Sequence, residues 1–132
     1  MAYRIYSFEK LDVYQHALSL SMDIRSILSG FPTAEKFDLC RQLKRSVDSI
    51  HSNLAEGSGR SSNLDQAHFT NMAYGSAMES ISHLNLAKKL QYINDMDYSS
   101  IREKLERVVN QLNSLYKWQL NNSNNLKVKL KK

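Results

Sequence analysis

The chain has 132 residues with one cysteine, one proline and 42% apolar residues, a size that suits one domain able to bury a core without disulfides or metal. Its lone Cys40 excludes an internal bridge, and the absence of any run near 18 apolar residues excludes a membrane span. The formal net charge of +5 is concentrated at one end: Lys127, Lys129, Lys131 and Lys132 supply four of the 18 basic residues, leaving 14 against all 13 acids before them.

The body of the chain is therefore nearly neutral. Strand-like alternation is absent, and four segments carry helical periodicity. The first runs from about Phe8 to Ser29, with Val13, Tyr14, Ala17, Leu18, Leu20, Ile24, Ile27 and Leu28 on a broad apolar face. "GFPT" ends it, with Gly30 as a stop and Thr33 as a candidate cap for the next helix.

The second helix is expected over about Ala34 to Glu56. Its seam, Cys40, Leu43, Val47, Ile50 and Leu54, steps by three and four residues, the pattern for packing along a near-parallel neighbour. Beside it lies a polar stripe of Gln42, Ser46, Ser49, Asn53 and Glu56. Arg41, Lys44, Arg45 and Asp48 form the remaining, charged face.

The third helix, about Leu64 to Leu90, is expected to be capped by Ser61 or Ser62. Between Asp65 and Lys88 it carries one formal charge, Glu79, and its apolar residues point in several directions. Such a helix calls for burial nearly all round, so part of its surface is expected to meet another subunit. Tyr74, Met78 and Ile81 are the candidate interface residues, and Gly75 and Ser76 permit close approach of helix backbones.

The fourth helix starts near Asp97 with one apolar stripe: Tyr98, Ile101, Leu105, Val108, Val109, Leu112, Leu115 and Tyr116. Trp118 falls outside the stripe and joins the candidate interface. Short connections between long helices predict an all-α, antiparallel up-down-up-down four-helix bundle over residues 1 to 120. Residues 121 to 132, "NNSNNLKVKLKK", read as a basic, disordered tail, with a short arm on phosphate as the competing reading. Without a charged, apolar leader and with a single cysteine, the expected compartment is a reducing cytoplasm.

"SIHSNLAEGSGRSSN" is the stretch that invites a chemical reading. It is neither a dinucleotide fingerprint nor a Walker loop, because it follows a helix and lacks the Gly-Lys-Ser/Thr ending. Read structurally, Gly57 is a left-handed helix stop, Gly59 gives the loop freedom, and Arg60 is left as a candidate phosphate contact. Asn53 and Glu56 are expected to tie helix ends together.

Two Asp-x-x-His pairs, Asp48 with His51 and Asp65 with His68, lack the inward carboxylates of a bundle metal site, so no metal is expected. Cys40 on an apolar seam is expected to be inert. His16 and His83 read as ordinary polar or interface residues, and no serine is arranged into a triad. Neither a catalytic residue, a cofactor nor a small-molecule substrate is therefore expected. Glu79 is expected to pair with Arg45 in partly dry surroundings, within a polar network of Gln42, Ser49, Asn53, Glu56 and Glu79.

"FEKLDVYQHA", "FPTAEKFDL", "QLKRSVDSIHSNLAEGSGR", "AYGSAMES" and "LAKKLQYI" occur in an order and spacing that resembles the four-helix bundle proteins of intervening sequences in bacterial 23S ribosomal RNA genes. The resemblance covers about residues 8 to 118, and Gln42, Arg45, Ser49, Asn53, Ala55, Glu56, Gly57, Gly75, Ser76 and Glu79 carry it. Ser46 and Val47 depart from it, standing where alanine-like residues are common. The resemblance implies a bundle often assembled as a homopentamer, without known enzymatic activity. A related branch, the accessory variability determinant of diversity-generating retroelements, binds nucleic acid and partners a reverse transcriptase.

The expected function is thus a non-enzymatic oligomer, a pentamer by resemblance, that binds RNA or DNA weakly and without sequence preference. Arg41, Lys44, Arg45, Arg60 and the four tail lysines are the candidate contacts, with a reverse transcriptase as a further candidate partner. The competing class is a protein-interaction adaptor without nucleic-acid binding.

Overall fold

A computed structural model describes residues 2–122. Four helices follow one another: α1 (Asp12–Leu28), α2 (Leu39–Ser58), α3 (Asn63–Lys89) and α4 (Asp95–Asn121). The chain is an all-α, up-down-up-down bundle. Helix α1 packs on α2 and α4, and α3 packs on the same two, while neither diagonal pair meets among the described residues. The lysines of the basic tail, Lys127, Lys129, Lys131 and Lys132, lie outside the described residues.

The periodic positions fill the interior as expected. Leu20 and Ile24 of α1, the full Cys40 to Leu54 seam of α2, and Ile101, Leu105, Val108 and Leu112 of α4 are all buried. Helix α3 contributes a different kind of surface, Ala67, Thr70, Ala73, Ala77, Ser80, Leu84 and Ala87, so its inward face is built mainly from small side chains. Small residues let neighbouring backbones approach closely, and α2 and α3 form the most extensive pairing in the bundle. Two directional bonds join α3 to its neighbours inside the core. Ser80 Oγ donates to Ser46 Oγ of α2 at 2.9 Å, and Thr70 Oγ1 donates to Gln119 Oε1 of α4 at 2.7 Å. Ser46, a departure from the family pattern, thus has a hydroxyl partner of its own.

Helix ends correct several sequence expectations. Helix α1 begins at Asp12 because Leu11 is extended, and Ser7–Lys10 forms a 3-10 turn ahead of it. That turn folds back so that Phe8 meets Tyr14 edge-to-face at 5.0 Å. Helix α2 begins at Leu39, five residues later than expected, after a 3-10 turn at Thr33–Glu35. Thr33 does not cap it: the Leu39 amide donates instead to Glu35 Oε1 at 3.4 Å, and the other oxygen of Glu35 accepts from the Tyr92 hydroxyl at 2.9 Å. Ser62 caps α3 as expected, accepting from the Asp65 amide at 3.1 Å, and Asn94 caps α4 in the same way.

No glycine among the described residues is left-handed, so Gly57 is not a left-handed stop. It lies inside α2, buried, and its role is steric. The left-handed helix stop belongs instead to Gln91, with φ of 62°. Around it the Gln91 amide donates to Lys88 O and the Tyr92 amide to Ala87 O, the paired bonds of a Schellman end. A side chain in this region costs about 1 kcal/mol that glycine avoids. Gln91→Gly is expected to raise the unfolding free energy by roughly 0.5 kcal/mol, after glycine's larger unfolded-state entropy is counted. Urea titration of the two proteins measures the difference.

Candidate nucleic-acid interface

Positions 41, 44, 45 and 48 of α2 recur at three- and four-residue steps, and the same periodicity that buries Leu43 and Val47 turns these four away from the core. Arg41, Lys44 and Arg45 are exposed, while Asp48 is half-buried. Two neighbouring segments add charge to this face: Arg25 from α1, and Lys36 from the turn that precedes α2. Together they rim a groove of about 450 Å³ whose lining includes Leu28, Phe31, Pro32 and Phe37. A shallower depression bordered by Arg41, Lys44, Arg45, Asp48, Ser49 and Ser52 continues from it along α2, its one carboxylate being the one held by Arg25.

These five cations differ in how far they are committed. Arg25 is spent on Asp48, donating through Nη1 and Nη2 to its two carboxylate oxygens at 2.8 and 2.6 Å. Arg45 approaches Glu79 at 3.4 Å, where the two side chains are 70% and 44% exposed, so this pair contributes little. The pairing expected from the sequence is present, but the dry environment is not. Glu79 stands at the surface between Arg45 and His83, whose Nε2 lies 3.1 Å from the same carboxylate. Lys36, Arg41 and Lys44 have no carboxylate within ion-pair distance among the described residues. Lys36 and Arg41 instead sit over the exposed Phe37 ring, at 5.3 and 5.2 Å from its centroid.

The polar stripe of α2 does not form the inter-helix network expected of it. Gln42 donates to Asp38 one turn earlier, Ser49 to Arg45 O, and Asn53 to Ser49 O, so all three are spent locally. Glu56 pairs with Arg60 at 3.6 Å across a single turn. Asn53 and Glu56 therefore tie no helix ends together. Within the stripe it is Ser46 that reaches α3, through the Ser80 hydroxyl, and Arg45 beside it meets Glu79 at the surface.

Arg60 is separated from the cluster. It lies beyond the far end of α2, whose last residue, Ser58, is about 25 Å from Arg41 along the axis at 1.5 Å per residue. Its guanidinium stacks over the Phe69 ring at 4.5 Å while pairing with Glu56. "EGSGR" is thus a clamp on Phe69: Gly57 allows α3 to come close, and Arg60 covers the ring. This leaves Arg60 a weaker phosphate candidate than Arg41 or Lys44.

The remaining chemistry-bearing residues are occupied. Cys40 is buried, and desolvation raises its thiol above the ordinary value, which disfavours the nucleophilic thiolate. His16 Nδ1 lies 3.0 Å from Gln111 Oε1. Among the described residues no three His, Cys, Asp or Glu side chains gather as a metal site would require. No described helix is long and apolar enough to cross a membrane.

The Arg25, Asp48 and His51 group sets an acid response. Hydrogen bonds from Arg25 hold the Asp48 carboxyl below its ordinary 3.8, and burial holds His51 below 6.5 against the pull of Asp48. Both groups bind protons less readily folded than unfolded. Their contributions are complete above the unfolded values and are lost as pH falls through the folded ones, His51 first and Asp48 later. Urea midpoints between neutral pH and about pH 3 are expected to fall in those two stages, with His51→Gln removing the first and Asp48→Asn the second.

Of the interface candidates, Tyr74 and Ile81 are half-buried and pack against the core. Met78 and Trp118 face out, Trp118 being 57% exposed. The open side of α3 also carries Leu64, Met72, Leu86 and Leu90, and a Cβ added at Gly75 would meet nothing within 4 Å. Sequence reasoning missed Lys36 and Phe37. The run "EKFDL" carried a signal, an aromatic between charges just ahead of a helix, but its side of the turn cannot be read without the fold.

The family model for 23S rRNA-intervening sequence protein matches residues 9–114. A crystal structure at 1.70 Å of a protein of unknown function from the S23 ribosomal protein family of Bacteroides thetaiotaomicron VPI-5482 is similar, with a TM-score of 0.74 and 26% identity. The match covers 80% of this chain and 98% of that one. No curated protein matches. With the family model matched over four fifths of its length, this chain belongs to the 23S rRNA-intervening sequence protein family.

Proposed function

We propose that this protein is a non-enzymatic, self-associating helical scaffold that binds RNA or another nucleic acid through the outer face of α2. The observation that carries the reading is the gathering of Lys36, Arg41 and Lys44, none with a carboxylate in ion-pair distance among the described residues, along one groove and its extension. Contacts from flexible cations to phosphates are sequence-tolerant and release counterions, so affinity should fall steeply with salt. Self-association, as a ring of five by family likeness, would repeat this small charge around one assembly and raise avidity without new contacts.

The charge-reversed variant Arg41→Glu/Lys44→Glu is expected to bind a single-stranded RNA at least tenfold more weakly at low salt. The slope of log affinity against log salt should shrink by about two. Filter binding over a salt series measures both, and unchanged affinity and slope would sink the proposal.

A protein-interaction adaptor is the second reading. The open side of α3 favours it, since Leu64, Met72, Met78, Leu86 and Leu90 present a large apolar surface. Light scattering of the purified protein separates a single bundle from an assembly. A partner protein retained after nuclease and high salt would favour the adaptor.

A further inference from the structure

Phe37 is 70% exposed on a groove rimmed by Arg25, Lys36, Arg41 and Lys44. A large ring left in water at the start of α2 contributes nothing to the core, and Phe31 already seals the bundle behind it, 8% exposed and 5.5 Å from the Tyr92 ring. Two cations flank Phe37, and the groove beside it has an apolar floor of Leu28, Phe31 and Pro32. An aromatic face, an apolar floor and a track of uncommitted cations are the three elements that bind an unpaired nucleotide chain.

We propose that Phe37 is a stacking platform for an unpaired base, so that the ligand class of this site is single-stranded nucleic acid. The inference rests on the nucleic-acid reading above and narrows it. A base enters against the ring by displacing the Lys36 ammonium, whose four-carbon stem lets it swing to a phosphate. Arg41 and Lys44 border both the groove and the depression that continues along α2, and they carry the next phosphates towards Arg45. A duplex keeps its base faces stacked on one another and offers none to the ring. An acidic peptide satisfies the cations and leaves Phe37 unused.

The test compares Phe37→Ala and Phe37→Trp with the natural chain, using a single-stranded RNA and a duplex of the same sequence. Phe37→Ala is expected to weaken single-strand binding about tenfold, the order found for removing one stacking ring, with duplex binding and salt slope unchanged. Phe37→Trp restores the affinity, and its added emission over the Trp118 background is quenched by the single strand. Because the ring is exposed, folding survives, and circular dichroism checks this. If Arg41→Glu/Lys44→Glu abolishes binding while Phe37→Ala changes neither strand's affinity, phosphate contact stands and stacking falls. If neither variant matters, both readings fall together. A change in oligomeric mass with Phe37→Ala, or competition by polyglutamate as strong as by RNA, would also overturn the proposal.

Discussion

Gly57→Ala is expected to lower the unfolding free energy by about 2 kcal/mol, although the same change inside a helix ordinarily stabilises by up to about 1 kcal/mol. The reason is distance. An added Cβ at position 57 would stand 2.7 Å from the Cβ of Phe69, with Gln66 O and the Phe69 Cγ at 3.5 Å. A Cβ cannot swing aside as a side-chain tip can, so relief requires α3 to move away from α2 along their most extensive contact. That displacement disturbs the Arg60 stack on Phe69. Gly75→Ala is the control, because nothing lies within 4 Å of its added Cβ. In the dissociated bundle it should stabilise by about 0.5–1 kcal/mol. If a second copy packs over Gly75, the same substitution weakens assembly. Urea melts of both variants at low concentration, with light scattering at high concentration, decide these signs.

Leu43→Ala is expected to cost about 2–5 kcal/mol, since this side chain is fully buried on the α2 seam and its removal opens a cavity. One position further along the same helix, Lys44→Glu should change stability by no more than about 0.5 kcal/mol, because the side chain is exposed and makes no ion pair among the described residues. Nucleic-acid affinity should respond in the opposite order once the folded fraction is accounted for. Leu43→Ala that still folds retains the groove, whereas Lys44→Glu removes a cation from it. Chemical denaturation combined with filter binding separates the two effects. Equal losses of stability in both variants would show that α2 does not divide its faces in this way.

How much of this was legible in the sequence depends on the range of the interaction. The α2 seam and the α4 stripe could be read because burial imposes a period on residues close in sequence. The Ser62 cap could be read because its donor is three residues away. The outward cluster of Arg41, Lys44 and Arg45 followed from the same period. Interactions that depend on how one helix is rotated against another were not legible. Arg25 with Asp48, Lys104 with Asp23, and Thr70 with Gln119 join residues 23 to 81 positions apart. Glu79 shows both sides of this limit: its partner Arg45 was identified, yet its exposure was missed because the apolar residues around it on α3 do not themselves face inward. Phe37 was missed because a turn has no period to say which way a ring points. The left-handed stop was placed at Gly57 on residue type alone, whereas the backbone formed it at Gln91.

The two hydroxyl bonds of α3 govern its freedom to slide. Ser80 reaches α2 and Thr70 reaches α4, so the helix is pinned lengthwise against both neighbours at points ten residues, roughly 15 Å, apart. Moving α3 by one helical turn, about 5.4 Å, would carry both hydroxyls away from their partners at once; Ser46 would keep its bond to Leu43 O within α2, and the buried Gln119 would lose Thr70. Leaving the buried Gln119 oxygen unpaired costs on the order of 1–3 kcal/mol. A helix whose inward face is largely alanine would otherwise tolerate axial slippage, since small side chains interlock poorly. Any surface displayed on the outside of α3 therefore keeps a fixed height relative to the basic groove on α2.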